Sequence, residues 1–142
     1  MSVLFDTNVV LDVLLKREPF AFTAAQLMAH VERGRLRGLL GATTITTLHY
    51  LARTAVGTTT ADAHIQRLLG LFEIADVTRG VLVDAVALEW PDFEDAVLHE
   101  AGRRAGATGI VTRDRVGFAR ATLRVYAPDA LLAALSEAPG AD

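Results

Sequence analysis

The sequence predicts an α/β fold, a single domain with a mainly parallel central sheet flanked by helices, and three observations predict it. Short unbroken apolar runs such as Val3-Leu4-Phe5 and Ile110-Val111 lack the alternation of a half-wetted strand and read as strands buried on both faces. Segments of helical period separate these runs repeatedly, which is the pattern of βαβ units and hence of a parallel sheet. The length of 142 residues, with 51% hydrophobic and 22% charged side chains, suits one core. A chain of this size buries roughly 68–70% of the surface it exposes when unfolded, enough to need no staples.

Met1 to Asp6 is the first strand, an apolar run that ends in a carboxylate. Asp6-Thr7-Asn8 offers three capping residue types ahead of Val9, Val10, Val13 and Leu14, which share one helical face, and Glu18-Pro19 ends that helix. The second helix is expected from about Phe20 to Arg33, with Phe22, Ala25, Leu27, Met28 and Val31 as its apolar stripe and Gly34 as its stop. Leu36 to Ala42 reads as the second strand, followed by Thr43 and Thr44. Ile45, Leu48, Leu51 and Ala52 have helical spacing from Thr44 to about Thr54, and Gly57 closes that helix. Thr58 to Asp62 caps another, carried by Ile65, Leu68, Leu69 and Leu71. Phe72, Ile74 and Val77, with Glu73 and Asp76 among them, form a strand with one wetter side. A short helix from Gly80 to Leu88 precedes Pro91, a first-turn residue for a helix that runs to Arg104 and stops near Gly106. Thr108 to Thr112 is a buried strand with Asp114 just beyond it; Leu123, Val125 and Tyr126 form the last strand. Pro128-Asp129 starts a closing helix over Leu131, Leu132 and Leu135. The domain is read as residues 1–135, and the tail from Ser136 to Asp142 is expected to fray.

Composition bounds the function. There is no cysteine, so neither disulfides nor thiolate metal sites arise. The N-terminus lacks a basic n-region and meets Asp6 early, and no apolar run approaches the length of a membrane span, so the expected location is the cytoplasm. Lys+Arg 14 against Asp+Glu 17 gives a net charge of -3, which excludes a protein that grips nucleic acid by bulk positive charge. It does not exclude a nuclease, because an enzyme that works through bound cations carries an acidic pocket whose sign the cations reverse.

In an open parallel sheet the site lies beyond the carboxyl ends of the strands. That rule selects Asp6 after the first strand, Thr43 to Thr47 after the second, and Thr112 to Asp114 after a later one, with Asp92, Glu94 and Asp95 opening a helix toward the same rim. Carboxylates without cysteine are the ligand set of a hard cation, Mg²⁺ or Mn²⁺. Such a cation makes a water ligand easier to deprotonate and polarises a phosphodiester oxygen, which is what phosphodiester hydrolysis needs. Each residue also has a structural reading: Asp6 as an N-cap, Asp92, Glu94 and Asp95 as complements to a helix dipole, Asp114 as a turn residue paired with Arg113 or Arg115. His99, four residues after Asp95, reads as a member of an exposed ion pair. No Gly-x-Gly-x-x-Gly and no Gly-Lys-Ser/Thr is present, and Ser2 and Ser136 are the only serines, so dinucleotide, P-loop and serine-hydrolase functions lose their support.

Asp6-Thr7-Asn8, Asp92-Phe93-Glu94-Asp95-Ala96 and Ile110-Val111-Thr112-Arg113-Asp114, in that order, resemble the PIN-domain family over nearly the whole chain. The resemblance is to the group that includes VapC-type toxins of bacterial toxin-antitoxin pairs. It implies an Mg²⁺- or Mn²⁺-dependent ribonuclease that leaves 5′-phosphate and 3′-hydroxyl ends, an antitoxin laid across the helices, and a second copy of the chain in a homodimer. It also implies that Asp6, Asp95 and Asp114 are the metal ligands and catalytic carboxylates, with Thr112 and Asn8 in support; Asp92, one helical turn before Asp95, and Thr47, whose hydroxyl can bond a metal-bound water, are the further supporting residues. The family's remaining ligand, a Glu in the helix after the second strand, has no counterpart: Thr47 stands in its place. The alternative is therefore a catalytically impaired PIN fold that serves as an RNA- or protein-binding module. A haloacid-dehalogenase-like phosphatase with Asp6 as nucleophile needs a second Asp at position 8, where this chain has Asn8.

Overall fold

Strands β1 (Ser2–Phe5), β2 (Arg37–Gly41), β3 (Glu73–Ala75), β4 (Gly109–Val111) and β5 (Arg124–Tyr126) form one sheet in the order β3-β2-β1-β4-β5. Every pairing is parallel, so the sheet is wholly rather than mainly parallel. The structure is a computed structural model that describes residues 1–137. Seven helices lie among these residues: α1 (Thr7–Leu14), α2 (Ala21–Glu32), α3 (Ala42–Val56), α4 (Thr58–Leu71), α5 (Arg79–Leu88), α6 (Phe93–Arg104) and α7 (Pro128–Glu137). Ser136 and Glu137 are the last residues of α7, and the rest of the tail, residues 138–142, lies outside the described residues.

Helices cover both faces, which is why the strand runs are apolar without alternation. Val3, Phe5, Leu40 and Val111 face one core with Val9, Val10, Leu27, Leu48 and Leu131 from the helices. Leu4, Leu39 and Ile110 face the other, against Val81 and Ala85 of α5 and Ala96 to Leu98 of α6. Gly102 of α6 sits directly on β1, since a Cβ there would lie 2.8 Å from Leu4 Cδ2. Among the described residues no helix is long and apolar enough to cross a membrane.

Two boundaries differ from expectation for local reasons. Helix α3 begins at Ala42, straight from the end of β2, because extended Gly41 serves as its N-cap. Pro91 stands before α6 rather than in its first turn: Asp92 takes the N-cap, and its carboxylate accepts the Asp95 N–H at 3.1 Å.

Candidate active site

The sheet order places the carboxyl ends of β1 and β4 side by side at the centre, where the chain reverses its direction of build from β1–β2–β3 to β4–β5. Asp6 follows β1 directly. It is buried, with 9% of its surface exposed, and three groups donate to its carboxylate. The Thr7 N–H donates to Oδ1 at 2.8 Å, Thr112 Oγ1 donates to Oδ2 at 2.7 Å, and Asn8 Nδ2 donates to Oδ2 at 3.4 Å. Thr7 Oγ1 lies 3.3 Å from Thr44 Oγ1 in the first turn of α3, so that helix starts beside the same loop.

Thr112 is fully buried and does two things with one hydroxyl: it donates to Asp6 and accepts the Asp114 N–H at 2.9 Å. Asp114 Oδ1 in turn accepts the Gly117 N–H at 3.1 Å, a turn in the sense expected, but Arg113 is not its partner. Arg113 reaches across to Asp12, at 2.7 and 3.1 Å.

Gly117 gives the clearest view of how Asp95 and Asp114 meet. A Cβ on Gly117 would lie 2.7 Å from Asp114 Oδ2 and 2.8 Å from Asp95 Oδ2. The two oxygens therefore face one atom-sized gap, and the glycine is required by space, since its φ is not in the left-handed region. The sequence carried a signal for it: Asp at the first and Gly at the fourth position of Asp114-Arg115-Val116-Gly117 is a type I turn pattern. We expect Gly117→Ala to push the carboxylates apart and weaken Mn²⁺ binding about tenfold, or about 1.4 kcal/mol, by calorimetric titration. An unchanged affinity would mean that the gap is not where a cation is held.

The electrostatics are those of an uncompensated acid cluster. Burial pushes the Asp6 carboxyl above its ordinary value; the Thr112 and Thr7 hydrogen bonds oppose this, and the charges of Asp114 and Glu94 add to it. Asp95 is pushed up to about 7, by burial first and then by Asp92, Asp6, Asp114 and Glu94. Glu94, which the helix-dipole reading set aside, thus acts on both. Every charge that perturbs Asp6 and Asp95 is a carboxylate. The donor set is hard, anionic oxygen, and among the described residues no Lys, Arg or His is among the charges that shift Asp6 or Asp95, which fits a hard divalent ion. Among the described residues no three His, Asp or Glu side chains are drawn together to coordination distance, so the carboxylates face a shared gap without closing on it.

A carboxyl with a raised native pKa holds a proton that the unfolded chain has already lost, so stability falls as pH rises from about 4 through about 7 and then levels off. In EDTA the protein should melt at a lower temperature at about pH 8 than at about pH 5. Mn²⁺ should add more stability at the higher pH, where it need not displace that proton. Melts of the parent and of Asp95→Asn across this range, with and without Mn²⁺, check both, since the lowered pKa of His30 acts in the opposite sense and is common to the two proteins; a parent-minus-variant difference that does not fall with pH would contradict the placement of Asp95.

The other residues read from the sequence fall as follows. Asp92 spends one oxygen on capping α6. Thr47 is half-buried on the same face of α3 as Thr44, one turn on, and its hydroxyl donates back to the Thr43 carbonyl at 3.2 Å. The three carboxylates Asp6, Asp95 and Asp114 stand at the rim that the ends of β1 and β4 share with the start of α6. They lie on an open rim, flanked by a 180 Å³ cavity that touches Asp92 and Gly117 and a 570 Å³ cavity that touches Arg113. His99 is not exposed and does not pair with Asp95. Its Nε2 accepts the Thr122 N–H at 3.1 Å, so Nδ1 carries the proton and donates to Glu100 at 2.8 Å. The helical spacing to Asp95 was right, but the inward turn of α6 was not visible in it.

A family model for the PIN domain matches residues 2–116. The chain belongs to the PIN-domain family. Among solved structures this PIN domain is similar to a toxin-antitoxin complex from Klebsiella pneumoniae, with 20% identity, a TM-score of 0.69, and coverage of 89% of this chain and 97% of that one. It is also similar to VapBC2 from Rickettsia felis bound to a promoter DNA fragment, with 15% identity, a TM-score of 0.68, and coverage of 89% and 98%. VapC20 from Mycobacterium tuberculosis, a sarcin-ricin loop cleaving toxin, matches at 16% identity with a TM-score of 0.62 over 76% and 86%. At these identities the likeness speaks for the PIN fold. Among curated proteins none matches the chain in sequence.

Proposed function

We propose that this PIN domain is an Mg²⁺- or Mn²⁺-dependent endoribonuclease, the toxin of a toxin-antitoxin pair, acting in the cytoplasm. The observation that carries the reading is the uncompensated carboxylate cluster of Asp6, Asp95 and Asp114 at the reversal point of the sheet. These three residues would hold the cation. When bound, the cation would activate water and offset the charge that develops on the phosphodiester. Thr112 ties the Asp6 carboxylate to the Asp114 backbone through one hydroxyl, and Gly117 leaves open the gap between the Asp95 and Asp114 carboxylates.

The fold of the solved toxin-antitoxin complexes supports an antitoxin as partner. A 530 Å³ groove between α1, α2 and α4, lined by Val13, Leu14, Met28, Leu68 and Leu71, offers an apolar seat for a segment of it. Leu82, Val83 and Val86 form an exposed apolar stripe along α5, which supports a second copy of the chain as the other partner.

One observation favours the second reading, a catalytically impaired PIN fold that binds RNA or protein. Helix α3 contains no acidic residue at all, so no neighbouring turn replaces the carboxylate absent at Thr47. Glu94 adds charge from the first turn of α6, the turn that already supplies Asp95, and not from α3. The test is incubation of the pure protein with a panel of RNAs, with Mn²⁺ and with EDTA. Cleavage that needs Mn²⁺, at millimolar levels, supports the enzyme; binding without cleavage at any Mn²⁺ level supports the module. Cleavage that survives EDTA contradicts the metal-dependent reading.

A further inference from the structure

The cluster is anionic and so is RNA, so contacts that hold the substrate must come from beside it. Asp12, with 1% of its surface exposed, is the buried hub of such a neighbour. Its Oδ1 accepts Arg17 Nε at 2.9 Å and Arg113 Nη2 at 3.1 Å, and its Oδ2 accepts Arg113 Nε at 2.7 Å. Two guanidiniums thus share one carboxylate and leave a net positive charge. Arg17 is further tied to the Asn8 carbonyl, at 3.1 Å, in the loop that carries Asp6. The Arg113 guanidinium lies 3.9 Å over the ring of Phe20, and that ring remains 40% exposed. Of the five N–H donors of a guanidinium, those not directed at Asp12 carry no hydrogen bond from Arg113 among the described residues. Phe20 and Arg113 form one wall of the 570 Å³ cavity; Thr23, Pro128 and Asp129 form others. Arg113 is flanked in the chain by Thr112 and Asp114, so this cavity opens next to the carboxylates.

We infer that this cavity is a nucleobase subsite, in which the Phe20–Arg113 platform stacks one base of a single-stranded RNA whose neighbouring phosphate lies at the carboxylate cluster. An exposed aromatic ring backed by a delocalised cation is the surface on which proteins stack unpaired bases, and every base has the flat face it needs. The free guanidinium donors suit a phosphate or a base-edge acceptor, and the Asp129 carboxylate is an acceptor for an exocyclic amino group or a 2′-hydroxyl. A base offers a flat face to the ring and an edge acceptor to the guanidinium at once, which matches both halves of the platform. The inference rests on the ribonuclease reading and adds to it where the substrate is held. Because the platform is anchored on buried Asp12 rather than on the metal ligands, it is present before any cation binds.

The test is Phe20→Leu, which keeps the apolar volume and removes the ring. Binding is followed by anisotropy and 2-aminopurine quenching of a single-stranded RNA octamer, with Ca²⁺ in place of Mg²⁺, beside the same octamer made abasic at one position after another. The parent should bind the intact octamer about tenfold more tightly than its weakest abasic form, and Phe20→Leu should lose that difference. In cleavage, Phe20→Leu should raise KM about tenfold with kcat and Mn²⁺ affinity close to the parent's. Equal RNA affinity and equal KM in parent and variant would overturn the subsite while leaving the ribonuclease intact. A parent that neither binds nor cleaves the RNA would overturn both, and loss of a protein partner alone in Phe20→Leu would make the cavity a protein site instead.

Discussion

Asp6→Asn is expected to lower Mn²⁺-dependent RNA cleavage by at least about a hundredfold while leaving the fold intact. Asp6 supplies a buried charge to the cluster, and even the outer partners of metal ligands cost about 10- to 100-fold when removed, so loss of a ligand charge should cost no less. The amide of Asn retains an oxygen that can accept from Thr112 or the Thr7 N–H, so the cap on α1 survives in part. The charge that is lost is one that burial and like charges already oppose. In EDTA the variant should therefore melt no lower than the parent, and at neutral pH slightly higher, since Asp95 loses a repelling neighbour. Initial rates and melts on the same preparation measure both halves. Undiminished cleavage in the variant would identify the activity as a contaminant or place the cation elsewhere.

His99→Leu is expected to destabilise the protein by about 3 kcal/mol, which for a chain of this size is a fall in melting temperature of about 10 °C. His99 has 1% of its surface exposed and uses both ring nitrogens. Leucine would fill much of its volume but leave the Thr122 N–H without its acceptor and remove the Nδ1–H that Glu100 accepts. Glu100 is nearly buried. Burial works to raise its pKa, but hydrogen bonds from Arg103 and His99 outweigh that and hold it below the ordinary value. Trp90 would also lose the ring it packs against, at 5.0 Å between centroids. A melt shift under about 2 °C would mean that the backbone groups find water and that the network adds little.

All twelve elements were legible to within a few residues, because apolar periodicity and caps are local: Val3-Leu4-Phe5 marks β1 and Gly57 ends α3 wherever the rest of the chain goes. Placing Asp6 and Asp114 on one rim was legible too, because in a parallel sheet all strands end on the same side. Three features were not. Arg113 pairs with Asp12, 101 residues away, instead of with its neighbour in the chain. Glu94 loads the cluster rather than only complementing a dipole, and His99 turns inward against the β4–β5 connection.

The sequence by itself determined the class of fold, the order of its elements and the residue types available for chemistry, because these follow from periods of two or three to four residues and from composition. Only the tertiary structure decided which carboxylates share a gap, that Gly117 keeps it open, and which arginines stand beside it. Those outcomes depend on the strand order β3-β2-β1-β4-β5, which sets β4 against β1, and on side-chain distances of about 3 Å between segments far apart in the chain. Local propensity carries no information about either, because a parallel strand gains its partner only after a crossover has closed, and the energy that selects the partner is spread over both packed faces of the sheet.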